Sequence, residues 1–360
     1  MGSWISVSTF SQIRRCQHYH DYNYLMKFGE FPIGEAHGCI LAHTIRLSDV
    51  SLKKGQVLVS NDIEMLRVAG FTSVTAACLE NGDVGEDSAA SRIAKAISGC
   101  NLRATPASTG RVNLIANEDG IFQIDTEKVI NINRIDEAMT LATLPTNSRV
   151  RVGQLVATVK IIPFSVSEES LSKLEAVAKT GEVQLSVHGF RGKRVALILS
   201  RLSGDGEKLV RKRRQAMENR IVSLSGSLID VTICMHTAVE VAGALQSAYD
   251  LRPDIILVFG ASSIVDRADI IPAALTLVRG EIVHLGMPVD PGNLLLLGTF
   301  IDTTVIGVPS CAASLKDNGF DRVLERLFAE LPLDKDHITA MAAGGLLSEI
   351  PTRPMPRESE

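Results

Sequence analysis

Asp254-Ile255-Ile256-Leu257-Val258-Phe259-Gly260-Ala261-Ser262-Ser263-Ile264-Val265-Asp266-Arg267-Ala268-Asp269-Ile270-Ile271-Pro272 is the stretch on which the fold turns. Five apolar residues, Ile255 to Phe259, are too few for a buried helix and rich in β-branched types, so they read as a strand buried on both faces. A loop of small residues follows. Asp269 then opens a helix with Pro272 in its first turn, where a missing N–H is tolerated. The same unit recurs outward. Val195-Ala196-Leu197-Ile198-Leu199 is an apolar run, the loop Arg201 to Gly206 follows, and a long helix places Val210, Met217, Ile221 and Leu224 on one face before Ser225-Gly226 stops it. Strand Leu228 to Cys234 and helix Ala238 to Tyr249 repeat the pattern. Successive strand, loop and helix units of this length predict an α/β fold with a doubly wound, mostly parallel sheet. Ligands of such sheets bind at the carboxyl ends of the strands, here the loops after Leu199, Cys234 and Phe259.

Upstream, the pattern is less regular and predicts a mixed α/β module over 26–165. Helices are expected at 62–69, ending at Gly70, at 86–98, ending at Gly99, and at 134–142, with short strands between them. Pro163 and the polar run Ser165 to Ser170 mark a boundary, the α/β domain spans 186–332, and 333–360 is a tail.

Composition narrows the function. The chain has 360 residues, 37 Lys and Arg against 41 Asp and Glu, and a net charge of −4, which disfavours general nucleic-acid binding. Its mean hydropathy of +0.16 excludes a largely disordered chain. No apolar run approaches the length of a membrane span. Six cysteines, Cys16, Cys39, Cys78, Cys100, Cys234 and Cys311, form no CxxC pair, so neither zinc nor a disulfide framework is expected and the chain reads as reduced and cytoplasmic. Trp4, Phe10, Tyr19, Tyr22 and Tyr24 crowd the head, whereas Tyr249 is the one Tyr after Met26. Residues 1–25 are therefore expected to be a disordered extension, with an amphipathic targeting peptide as the alternative. The aromatic-poor body argues against a site of stacked rings.

In the loop after Phe259, Gly260, Ala261, Ser262 and Ser263 offer backbone amides and hydroxyls to an oxyanion, and Asp266, Arg267 and Asp269 lead into a helix start that favours a phosphate. Asp269 is either an N-cap or a ligand and Mg²⁺ residue. Pro291, Gly292 and Asn293 are either a plain hairpin connection or part of a site, and Pro309 and Ser310 sit at a comparable strand-to-helix junction. Ser203 and Gly204 occupy the loop after the first strand. Cys311 has no base placed to activate it. Lys208, Arg211, Lys212, Arg213, Arg214 and Arg220 make one helix basic, by default a solvated face and otherwise an anion contact. His236 reads as a structural polar residue.

These motifs resemble the molybdopterin-binding domain shared by molybdopterin adenylyltransferases and the molybdenum insertases, the molybdopterin molybdotransferases. The strand and loop into Arg267-Ala268-Asp269 match that family's Arg-x-Asp before a helix, Pro291-Gly292-Asn293 resembles its Pro-Gly-Lys, and Gly307-Val308-Pro309-Ser310 its Gly-Leu-Pro-Gly. Gly34 to Ala42 and Leu52 to Gly70 resemble insertase segments outside that domain. Gly286 to Asn293 and Asn318-Gly319-Phe320-Asp321 are closest to insertase-like proteins often fused to a cytidylyltransferase-like domain, although the chain ends at Glu360 before such a domain. The resemblance implies a role in molybdenum cofactor biosynthesis with molybdopterin as ligand and molybdate, a nucleotide and a cytidylyltransferase as partners. It also implies self-association into a homo-oligomer, Mg²⁺, and Asp269 as the catalytic and metal residue. The remaining loop residues, Ser203, Gly204, Gly260 to Ser263, Asp266, Arg267, Pro291 to Asn293, Pro309 and Ser310, would bind the pterin and its phosphate. The reading is an insertase-like transferase that inserts molybdate into molybdopterin or its nucleotide adduct, favoured by the retained Asp269, Arg267 and Pro291-Gly292, with a non-catalytic carrier as the alternative. The departures weigh on the first. Ala261-Ser262-Ser263-Ile264 is bulkier than the family loop, His236 fills an acidic position, and Asn293 removes a lysine.

Overall fold

Pairing of Ser73–Cys78 with Lys27–Pro32 on one side and Ile40–Leu41 on the other forms the first sheet of the computed structural model, which describes residues 26–48, 50–180 and 185–347. The expected extension 1–25 and the end of the tail, 348–360, lie outside the described residues. Helix Ser60–Val68 closes this first core on Leu58, Ile63 and Leu66, close to the bounds the spacing predicts. Cys39 precedes Ile40, which pairs with Ala77, so register brings Cys39 to Cys78, and a disulfide joins them with Cα atoms 4.3 Å apart. This corrects the expectation of unpaired thiols. A bond made across two strands leaves no spacing signature. Cys100, Cys234 and Cys311 are free.

The second core gathers residues from Val84 to Val187 around the sheet Met139–Thr143, Leu155–Ile161, Arg111–Ala116 and Leu102–Ala104. Helices Glu86–Ile97 and Glu168–Lys179 pack on it through Ile93, Ile97, Leu171 and Leu174. The polar run after Ser165 is thus the start of a packed helix, capped by Ser167, and the chain enters its last core only after Gly189. The helix expected at 134–142 forms instead at Thr126–Asn133, capped by Asp125, and Met139–Thr143 is a strand. Met139 and Leu141 alternate inward there, a two-residue period that over so short a stretch does not differ from a helical face.

The third core is built on strand β1 (Arg194–Arg201), helix α1 (Glu207–Ser223), β2 (Ser227–Met235), α2 (Ala238–Asp250), β3 (Ile255–Phe259), α3 (Ile270–Leu277), β4 (Glu281–Leu285), β5 (Leu296–Phe300), β6 (Thr303–Val308) and α4 (Gly319–Phe328). The sheet order is β2-β1-β3-β6-β5-β4. Pairings among β2, β1, β3 and β6 are parallel, and β5 pairs antiparallel with both β6 and β4, so β5 alone runs against the other five strands. The reason is local: only Ile301 and Asp302 join β5 to β6, too short a link for a crossover. Alternation along β1 explains its apolar run. Val195, Leu197 and Leu199 face the core under α1 and α4, and Ala196 and Ile198 face that under α2 and α3. The chain is therefore mixed α/β with several sheets.

Helix α5 (Lys335–Ala340) and Leu347 fold back onto this third core through Ile338 and Leu347, so residues expected in the tail belong to it. Among the described residues no helix is long and apolar enough to cross a membrane.

Candidate functional site

Parallel pairing brings the carboxyl ends of β2, β1, β3 and β6 side by side, and the loops leaving them meet. Ser200, in the last turn of β1 and 1% exposed, holds two neighbours: its hydroxyl lies 2.8 Å from His236 Nδ1 after β2 and accepts the Ala261 amide at 3.3 Å after β3. His236 Nε2 lies 3.0 Å from the exposed Ser262 hydroxyl. Ser263 and Ser310 share a hydrogen bond of 2.8 Å that ties the β3 loop to the start of the β6 loop. Gly260 has to be glycine, since a Cβ would sit 2.8 Å from the Ser262 carbonyl oxygen and 2.9 Å from Ile271.

Below this loop lies a cation that the sequence hid. Arg213 on α1 is 8% exposed, donates to the Ala261 carbonyl at 3.2 Å and stacks 5.1 Å from the Phe259 ring centre. Among the described residues it has no carboxylate in ion-pair range. Burial lowers its basicity, with Asp205 opposing from a distance. Burial likewise lowers the His236 pKa, and Asp269 works against that shift.

The other expected site residues divide. Asp269 is the N-cap of α3: one oxygen accepts the Ile270 amide at 2.7 Å and the other the Val265 amide at 3.1 Å. Each carboxylate oxygen thus accepts one amide of its own loop. Among the described residues no group of three or more His, Cys, Asp or Glu is placed to hold a metal ion. Asp266 accepts the Ala268 amide at 2.7 Å, and Arg267 is exposed beside it. Pro291, Gly292 and Asn293 form the connection between β4 and β5. The Pro291 carbonyl accepts the Gly319 amide at 2.8 Å, a Cβ on Gly292 would lie 2.8 Å from that nitrogen, and Asn293 folds onto Met287. They reach the site only indirectly, through Asn318, which donates to the Cys311 sulfur at 3.1 Å next to Ser310. Pro309 is buried at the end of β6, and Ser203 and Gly204 form an exposed turn closed by Asp205.

The basic helix is not a uniform solvated face. Arg213 and Arg220 lie seven residues apart on the inner face with Met217 and Leu224, a helical spacing that could have revealed them. The Ser200–His236–Ser262 contact has no comparable signal, because its members sit on three separate strand ends.

As a cap, Asp269→Ala is expected to cost about 1 kcal/mol in urea denaturation, while Asp269→Asn stays near wild type because asparagine caps equally well. An equal loss in both variants would mean that the negative charge, not the cap, is what the loop needs.

A domain of unknown function, DUF8806, matches residues 30–78, which is the first core and not these loops. No curated protein matches the chain. Among solved structures it is similar to a molybdopterin biosynthesis protein, MoeA, from Pyrococcus horikosii, at 12% identity and a TM-score of 0.29, with 84% of this chain and 75% of that one covered.

Proposed function

We propose that the chain binds molybdopterin in the loops after β1, β2, β3 and β6 and serves molybdenum cofactor biosynthesis as a carrier. The observation that carries this reading is the joining of these loops at the carboxyl end of parallel strands: Ser262 bonded to His236, Ser263 to Ser310, and the buried Arg213 to the Ala261 carbonyl. Molybdopterin presents a terminal phosphate and a polar pterin edge. Hydroxyls, amides and a cation suit the first, and an aromatic-poor loop suits recognition of the second by hydrogen bonds rather than stacking. The motif resemblance of Arg267-Ala268-Asp269 and Gly307 to Ser310 supports the same ligand.

Carriage is favoured over molybdate insertion by one feature. Asp269, the residue the resemblance assigns to chemistry, has both oxygens engaged by amides of its own loop. The loops would then hold the pterin by its phosphate and leave the dithiolene for another protein to load or take up, with a cytidylyltransferase or an apo-enzyme as the recipient class.

Anaerobic titration of the full chain with molybdopterin, followed by molybdate or by Mg²⁺ with ATP or CTP, tests both halves. Saturable binding without a new cofactor or nucleotide adduct is the expected result. Turnover would replace the carrier by a transferase, and absence of binding would remove the reading altogether.

A further inference from the structure

We propose that the second and third cores form a proton-operated joint that turns on residues 189–193 with Glu325 on α4 as its trigger: the cleft between the cores is closed while Glu325 carries a proton and opens when that proton is lost. Among the described residues, none of those assigned to molybdopterin lines this cleft, so the joint stands apart from the ligand reading above.

The geometry is that of two bodies with one link. Residues of the second core, up to Val187, bury their apolar side chains in one cluster, and those from Val195 onward bury theirs in others. The chain crosses between them once, at Gly189-Phe190-Arg191-Gly192-Lys193. On that crossing the Phe190 amide donates to the Asp119 carbonyl at 3.1 Å and the Arg191 amide to the Phe328 carbonyl at 2.8 Å, so the pivot is held to both bodies. Away from the pivot, the described hydrogen bonds between the bodies come from two arginines. Arg149, on strand Ser148–Val150, lies 3.3 Å from Glu325 and donates to the Ser223 carbonyl at 3.0 Å, and Arg326 on α4 donates to the Asn147 side chain at 2.8 Å. A small polar contact beside a single link permits rotation of one body against the other.

Glu325 sits in that contact. Strand Gly120–Gln123 of the second core lies against α4, and the Glu325 side chain is 13% exposed. From the second core it faces Arg149, and from α4 and the residues before it Asp321 and Asp317, which oppose its ionisation. Arg220 on α1 is committed to Asp321 at 2.6 Å and Arg326 to Asn147, so Arg149 is the cation paired with Glu325 among the described residues. Arg322 and His337 line the same cleft, the latter with Nδ1 2.7 Å from Asp334. Burial outweighs Arg149 and pushes the carboxyl from 4.5 up to about 7. Rotation that lifts the second core off α4 returns water to the carboxyl and removes that cost. The closed form therefore binds the proton more tightly than the open form, and rising pH between the two values favours opening. With 4.5 for the open form and about 7 for the closed, the open-to-closed ratio rises at most about seventyfold between pH 5 and pH 8. Arg149 attracts the ionised carboxylate and so moderates the switch without reversing it.

Small-angle X-ray scattering of the full chain from pH 5 to pH 8 reads the joint, and carboxyl spectra of the ¹³C-glutamate-labelled chain read its trigger. The radius of gyration of the wild type is expected to grow with pH. Glu325→Gln, which mimics the protonated acid, is expected to keep the smaller radius at every pH, and this comparison separates Glu325 from His337 and every other titrating group. The carboxyl resonance missing from that variant is expected to titrate well above 4.5 in the wild type. A radius independent of pH, a Glu325→Gln chain that expands as the wild type does, or a Glu325 titration at its ordinary value overturns the joint. So does a radius larger at pH 5 than at pH 8, the behaviour of a clamp held by the Arg149 ion pair.

Discussion

Arg220→Met is expected to destabilise the chain by about 3–5 kcal/mol, the scale for removing one partner of a buried ion pair. Arg220 is 6% exposed and uses its whole guanidinium. Nε donates to Asp321 at 2.6 Å, Nη1 to the carbonyls of Ala312 and Ala216 at 2.8 and 3.2 Å, and Nη2 to those of Ser314 and Lys316 at 2.7 and 3.4 Å. One side chain on α1 thus ties down the short 3-10 turn Ser310–Ala313 and the loop leading to α4 through the carbonyls of Ala312, Ser314 and Lys316. Its loss strands those carbonyls and leaves the Asp321 carboxyl, already pushed up by burial and held back by Arg220, with no cation beside it. Arg220→Lys is expected to recover part of the loss, because an ammonium cannot reproduce the planar fork. The double variant Arg220→Met/Asp321→Leu is expected to be more stable than Arg220→Met alone, since no charge is then buried unpaired. Urea denaturation at pH 7 checks the series, and an Arg220→Met loss below about 1 kcal/mol would show that the pair is effectively solvated.

What the sequence disclosed of this architecture depended on how many faces a segment buries. Strands β1 and β3 were legible because burial on both sides leaves unbroken apolar runs, and the loops after them because small residues cluster there. Met139–Thr143 was not, since an alternating strand beside a short helix offers a similar scatter of apolar positions. Residue type misled on α1. Arginines at 213 and 220 carry the helical spacing of the core but the chemistry of the surface, and only the carbonyls and ring they meet explain their burial. Asp269 was legible in both its roles, and the amides of Val265 and Ile270 favour the cap. The disulfide and the Ser200–His236–Ser262 chain were out of reach for one shared reason. Strand register makes each of them, and register is a property of pairs of segments.

Glu325→Gln is expected to raise stability by about 3 kcal/mol at pH 8 and to change it little at pH 4. Glu325 lies on α4, in the wall of a cleft of about 1410 Å³ between the second and third cores, with its side chain 13% exposed. Burial pushes its carboxyl from 4.5 up to about 7; Arg149, 3.3 Å away, pulls it down, and Asp321 and Asp317 push it further up. Desolvation therefore outweighs the ion pair. The sign follows from linkage. A group whose folded pKa is raised binds more protons folded than unfolded between the two values, so stability falls as pH rises from 4.5 to about 7 and stays low above it. Glutamine mimics the protonated acid and removes that loss. The partner tolerates the change, because Arg149 is 41% exposed and also donates to the Ser223 carbonyl at 3.0 Å. A neighbouring contact, Arg326 to the Asn147 side chain at 2.8 Å, keeps the two cores joined in the variant. Urea midpoints for wild type and variant from pH 4 to pH 8 should diverge between pH 4.5 and about 7 and stay apart above that; parallel curves, or a variant weaker at pH 8, would mean that the Arg149 pair and not burial governs this carboxyl.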